Sequence, residues 1–254
     1  MAEAGTAAHN LSMTRRAAGE PLPLEFAPTA SRLPERIVPM RPTDGEGPFD
    51  DPGYFFEPWW PGIRAFVLVE GGAVRLRAEA LGDPTGAFPE LADVAELVRS
   101  DRVVLDATLM VLDARGRPSR TLLERRLASE GGSCGSDNPS GRAGTSRGSA
   151  ALVASDLLYV EGTSLAALPF GERRGELAAL LRPSSWCLAG RGFIGDGTTV
   201  ATALGALGFR ALSARRLDAP LRPGPARDAW YRVPVVAAPR ELPPFLAVLR
   251  RLPL

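Results

Sequence analysis

The sequence predicts an α+β fold in which antiparallel sheets are flanked by helices. Three observations carry this. Short apolar or alternating runs recur along the chain and are separated by Gly, Pro and Asp turns. Helical periodicity appears only in isolated stretches between them, without the regular strand–helix alternation of a parallel sheet. The run "IRAFVLV", the step "EGG" and the run "AVRLRAE" form a hairpin pattern over residues 63–79, which implies antiparallel pairing.

Residues 1–35 are rich in Ala, Pro, Arg and Glu without periodicity and are expected to be a disordered tail. Residues 36–62 form a Pro- and Gly-rich lead-in to the hairpin. "FPELADVAELVRS" follows, with Leu91, Val94, Ala95 and Val98 at helical spacing and Pro89 suited to a first turn. "RVVLDATLMVLDARGRP" reads as two strands with a break near Ala107, ending in a turn. "SRTLLERRLA" is a short helix with Ser119 as its N-cap. Residues 130–149 are a Gly/Ser-rich insertion of low complexity, expected to be flexible. "AALVASDLLYVEG" is an apolar strand and "LPFGERRGELAALLRP" an amphipathic helix. "SWCLAGRGF" is a strand, and "GTTVATALGALGF" is a helix with Thr198 or Thr199 near its start. "RALSARRL" and "AWYRVPVV" are two further strands around an Arg/Pro-rich loop. Residues 36–236 thus form the expected domain, and residues 237–254 a C-terminal tail.

The 254 residues, 45% of them hydrophobic, suffice for a sizeable core. The formal net charge of +1 sets up no global field toward nucleic acid or membrane. No apolar run approaches the ~20 residues of a membrane span, and the first residues lack the pattern of a signal peptide. Two cysteines, Cys134 and Cys187, make no disulfide framework. A reduced, cytoplasmic protein is the expectation. The single histidine, His9, argues against a histidine-based zinc site or a Ser-His-Asp triad, and no metal site is expected. The chain contains no lysine: all 30 basic residues are arginine. A lysine amine is therefore not available as a nucleophile.

Several blocks, in order, resemble the adenylation (nucleotidyltransferase) domain of ATP-dependent DNA ligases of the bacterial end-joining type. The resemblance spans about residues 36–236 and implies a ligase-type, ATP-grasp-like fold. The family's Glu-Pro-Lys-x-Asp-Gly-x-Arg motif stands here as Glu57, Pro58, Trp59, Trp60, Pro61, Gly62, Ile63 and Arg64. Trp59 thus occupies the place of the adenylated lysine and Pro61 that of the aspartate. Ala78 and Glu79 stand for a Ser-Arg pair. Asp106 remains from Asp-Gly-Glu, whose glutamate is replaced by Thr108. Asp156, Gly162, Pro169 and Arg173 fit a further block, in which Ser155 replaces an aromatic residue. Arg210 takes the place of a metal-side glutamate, Arg215 that of a lysine, and Arg232 and Pro234 those of two lysines. A ligase of this kind continues into an OB-fold domain, and the residues after Val236 are too few to build one.

The resemblance therefore implies a degenerate homologue: a pseudoenzyme with no catalytic residue of its own, binding DNA or a DNA-repair partner. An indole nitrogen is a donor only and does not attack the α-phosphate of ATP. Cofactors are not expected. ATP and Mg²⁺ enter only under the alternative, a ligase or nucleotidyltransferase with residual ATP-dependent activity in DNA repair and recombination. If nucleotide or phosphate binding is retained, Glu57, Trp59, Arg64, Arg215 and Arg232 are its candidates. Residues 206–254 carry nine arginines against three acids, a surplus suited to DNA ends or nicked DNA, or simply a solvated surface. Trp60 is expected in the core. Trp59 is expected to fill the vacated pocket, with stacking on a base as the alternative.

Overall fold

The computed structural model describes residues 33–34, 37–79, 81–129 and 148–253. Most of the expected N-terminal tail and of the Gly/Ser insertion lies outside them, as do His9 and Cys134.

The chain enters through β1 (Met40–Arg41) and β2 (Thr43–Asp44), then runs through β3 (Asp51–Pro58), β4 (Ile63–Glu70) and β5 (Ala73–Arg77). A 3₁₀ segment, Pro89–Asp93, leads into α1 (Val94–Leu97). β6 (Arg102–Leu112), α2 (Arg120–Ala128), β7 (Ser149–Val160), β8 (Thr163–Ser164) and α3 (Phe170–Leu180) follow. The last part comprises β9 (Cys187–Ala189), β10 (Phe193–Gly195), α4 (Gly197–Ala206), β11 (Ala211–Arg216), β12 (Gly224–Pro225), β13 (Trp230–Pro234) and α5 (Phe245–Leu249).

Two sheets dominate. A six-stranded sheet runs β5-β4-β6-β7-β8, with β9 also paired to β7. A five-stranded sheet runs β10-β3-β11-β13-β2. Pairing is antiparallel except for β1 with β12, β13 with β2, and β7 with β9. The β4–β5 hairpin turns at Gly71 and Gly72, whose φ values of 57° and 80° lie in the left-handed region that glycine tolerates.

β6 is buried on both faces, and its period of two sorts its residues. Val103, Leu105, Ala107, Leu109 and Val111 join a core that also holds Phe88, Leu91, Leu123 and Leu177. On the opposite face, Met110 and Leu112 join a second core with Phe56, Trp60, Leu204 and Leu212. Val104 packs with Leu33, Phe66, Leu68 and Tyr159. Asp106 and Thr108 lie between Val104 and Met110 on this second face, so two polar side chains interrupt an apolar layer.

Four local expectations change. β6 is continuous through Ala107. The expected break is instead a register shift against β7 between Asp106 and Ala107, which leaves Ser155 unpaired in the ladder. "SWCLAGRGF" splits into β9 and β10, which belong to different sheets, because the chain changes sheets at Gly190–Gly192. A Cβ at Gly192 would lie 2.1 Å from the Phe56 carbonyl oxygen, so only glycine allows that close approach. The helix expected from Phe88 is half 3₁₀. Within the C-terminal tail, α5 inserts fully buried Phe245 and Val248 into the second core. The Ser119 cap forms as expected, its side chain accepting from the Leu122 N–H.

Trp60 meets the rings of Phe209 and Phe245 edge-on, at 5.3 and 5.1 Å between centroids. Phe245→Ala is expected to destabilise the protein by about 3–5 kcal/mol, from lost burial and an unfilled cavity. Urea unfolding followed by circular dichroism measures this.

Candidate functional site

β3 delivers Glu57 and Pro58 to the edge of the gap between the sheets, and the chain then turns through Trp59, Trp60, Pro61 and Gly62 into β4. The turn lies against β6: a Cβ at Gly62 would sit 2.3 Å from the Leu109 carbonyl oxygen. Glycine is therefore required for the turn to pack this closely. The turn, β6, β7, β11 and β13 surround a cavity of about 350 Å³.

Two opposed carboxylates lie beside it, of which Asp106 lines the cavity. Asp106 and Asp156 face each other across the β6–β7 ladder. Like charges at such a position repel, and both side chains are buried. Each is met by a forked guanidinium. Arg64 donates from Nε and Nη2 to Asp106 at 2.8 and 2.5 Å, and from Nη1 to the Met40 carbonyl. Arg173 donates to both oxygens of Asp156 at 2.8 Å. Arg215 adds a third donor, reaching Asp156 at 3.2 Å and the Ser155 hydroxyl at 3.3 Å. Burial alone would lower the Arg64 pKa, but the Asp106 carboxylate outweighs it and raises the value.

Trp230 organises the cations. The Arg215 guanidinium lies 3.8 Å from the indole centroid and that of Arg64 4.9 Å. The indole N–H donates to the Ser213 hydroxyl at 3.0 Å. Glu57, also buried, has thinner support: Ser213 Oγ at 3.5 Å and Arg215 Nε at 4.0 Å. Burial accordingly raises the Glu57 pKa above its ordinary value, against the opposing pull of Arg215 and Arg174.

Of the residues expected at a site, Glu57, Trp59, Arg64, Thr108 and Arg215 line the cavity. Arg232 stands at its margin, with its guanidinium 5.6 Å from the Trp59 ring and 3.9 Å from Asp44. Pro61 and Arg210 are exposed and do not line it. Trp59 does not fill the cavity. It forms part of the wall, tilted at 6.3 Å from Trp230, and the space beside it is open. The adjacent Trp60 takes the buried position because Phe209 and Phe245 receive it there.

Arg41, Ser213 and Trp230 also line the cavity, and reading the chain alone missed them. Arg41 pairs with Glu79. The alternation of Ser213 with Arg215 on β11 and the aromatic start of β13 were the available signals, but their convergence depends on the β11–β13 register, which sets Arg215 opposite Trp230. Among the described residues no group of three or more His, Cys, Asp or Glu is placed to hold a metal ion. Cys187 is buried, which pushes its thiol up to about 12 and leaves it unreactive. No helix among the described residues is long and apolar enough to cross a membrane.

No protein-family model matches the chain. Among curated proteins it is 29% identical over 199 residues to the multifunctional non-homologous end joining DNA repair protein LigD of Mycobacterium tuberculosis, covering 78% of this chain and 24% of that protein. It is 33% identical over 187 residues to a probable DNA ligase of Streptomyces avermitilis, covering 68% of this chain and 33% of the relative. The chain thus spans about a quarter to a third of the length of these relatives. Among solved structures, a mycobacterial DNA ligase D complexed with ATP and MES matches with a TM-score of 0.61 and 28% identity, over 78% of this chain and 60% of that one. The ligase domain of M. tuberculosis LigD matches with a TM-score of 0.60 and 28% identity, over 77% and 58%.

Two outcomes follow from the geometry. Asp156→Ala strands Arg173 and Arg215 without their carboxylate and is expected to cost about 3–5 kcal/mol of stability in chemical denaturation. Glu57 holds its proton more tightly folded than unfolded, so its contribution is fully present below its ordinary value of 4.5 and is lost as pH rises through the higher folded value. Relative to Glu57→Gln, the wild type should therefore be favoured most at acid pH, with the advantage shrinking toward neutrality. Paired urea titrations across pH measure that difference.

Proposed function

We propose, from the premise that this chain is a relative of the ATP-dependent DNA ligases of the bacterial end-joining type and carries their nucleotidyltransferase fold, that it is a non-adenylating ligase-like domain acting in DNA repair. It is a pseudoenzyme that engages DNA ends or nicked DNA without sealing them. One observation carries the reading. Trp59, an indole, stands on the cavity wall where the resemblance puts the reactive lysine, and the chain has no lysine elsewhere to replace it. Adenylation needs an amine lone pair to attack the α-phosphate, and the indole lone pair belongs to the ring π system. The other substitutions agree. Thr108 and Pro61 remove carboxylates, and Arg210 puts a cation where a metal-side glutamate is expected. ATP and Mg²⁺ are not cofactors of this function.

DNA engagement is supported by the distribution of the C-terminal arginines. Of the nine beyond residue 205, only Arg215 is buried, and the other eight are exposed. Arg210, Arg222 and Arg227 are thereby available to phosphates, whereas Arg216 is paired with Asp218.

The test is the intact mass of the purified chain after incubation with ATP and Mg²⁺ or Mn²⁺, alongside a nick-sealing assay. Unchanged mass and no sealing are expected. A mass increase of one AMP overturns the proposal. Nicked duplex should bind, with an affinity that falls steeply as salt is raised.

A further inference from the structure

We infer that the cavity selects an uncharged planar heterocycle of nucleoside size and discriminates against a nucleoside triphosphate. The inference rests on the reading that the chain does not become adenylated.

The charges lining the cavity already neutralise one another. Arg64 is held by Asp106, Arg41 by Glu79, and Arg215 by Asp156 with Glu57 nearby. The cavity walls carry three arginines and three carboxylates. A triphosphate needs cations that can turn toward it. Each turn here would break an ion pair whose carboxylate is left exposed to the incoming phosphates, and two of those carboxylates are buried. Glu79 adds a carboxylate directly on the wall. Among the described residues no acidic cluster is placed to bring in a metal that would screen the phosphates. The residues present therefore do not fit ATP.

They do fit a neutral ring. The volume of about 350 Å³ lies at the lower end of the range for small-molecule sites, roughly 300–1,000 Å³. Three indoles line it, and two of them are closely covered by neighbouring groups. Trp230 is covered by Arg64 and Arg215, and Trp60 is packed against Phe209 and Phe245. Trp59 is only partly buried, and Trp230 and Arg232 meet it at the longer distances of 6.3 and 5.6 Å, which makes it the indole most open to stack on a ligand. The Ser155 and Ser213 hydroxyls supply polar contacts on the wall without net charge.

Isothermal titration of the full chain with adenosine and with ATP, at low and high salt and with and without Mg²⁺, tests this. Adenosine is expected to bind saturably with little dependence on salt, and ATP at least about tenfold more weakly. ATP binding as tight as adenosine, or no adenosine binding at millimolar concentration, overturns the inference. Trp59→Ala should abolish adenosine binding in a variant that remains folded by circular dichroism, and retained binding overturns the assignment of the stacking face. Glu79→Arg, at an exposed position, should strengthen ATP by about tenfold and leave adenosine unchanged. An unchanged ATP affinity overturns the charge-balance explanation. Tight ATP binding without a mass increase defeats this inference alone, whereas a covalent AMP defeats the non-adenylating reading beneath it.

Discussion

The architecture depends on two buried carboxylates, Asp106 and Asp156, set opposite one another on the central strands of the larger sheet. Left alone, such a pair would either repel or take up protons. The protein instead surrounds it with arginines from three other elements: Arg64 from β4, Arg173 from α3 and Arg215 from β11. These contacts tie the five-stranded sheet and helix α3 to the six-stranded one. The register shift at Asp106 belongs to the same arrangement, because it brings the two aspartates into line and turns Ser155 toward Arg215.

Around that frame the cavity has a chemistry of its own. A ligase-like fold provides a gap between two sheets, and in this chain the gap is walled by indoles and by arginines already committed to carboxylates. Guanidinium groups suit this role better than ammonium groups would. The planar fork of Arg64 meets Asp106 with two bonds while its guanidinium lies 4.9 Å from the Trp230 ring. Because every basic residue of the chain is arginine, the pocket wall is locked by guanidinium forks.

Much of this was legible in the chain. The "EGG" hairpin, the Ser119 cap and the long apolar strands rest on local rules of backbone conformation and periodicity, so they appear where expected. The lack of any lysine and the presence of an indole at position 59 are likewise plain in the sequence. The contribution of α5 was hidden, because five residues flanked by prolines give too little periodicity to mark a buried face. Trp59 and Trp60 are chemically identical and adjacent. Nothing local says which is core and which is wall. Phe209 and Phe245, distant in sequence, make that choice.

By itself, the sequence determined the fold class, the resemblance to ligase adenylation domains and the lack of any lysine, since each follows from residue identity and short-range order. Only the tertiary structure decided that the cavity stays open, that Arg210 lies outside it, and that its cations are already neutralised. Those outcomes depend on distances between strands far apart in the chain, and charge balance in a pocket is a property of which side chains meet, which composition does not specify.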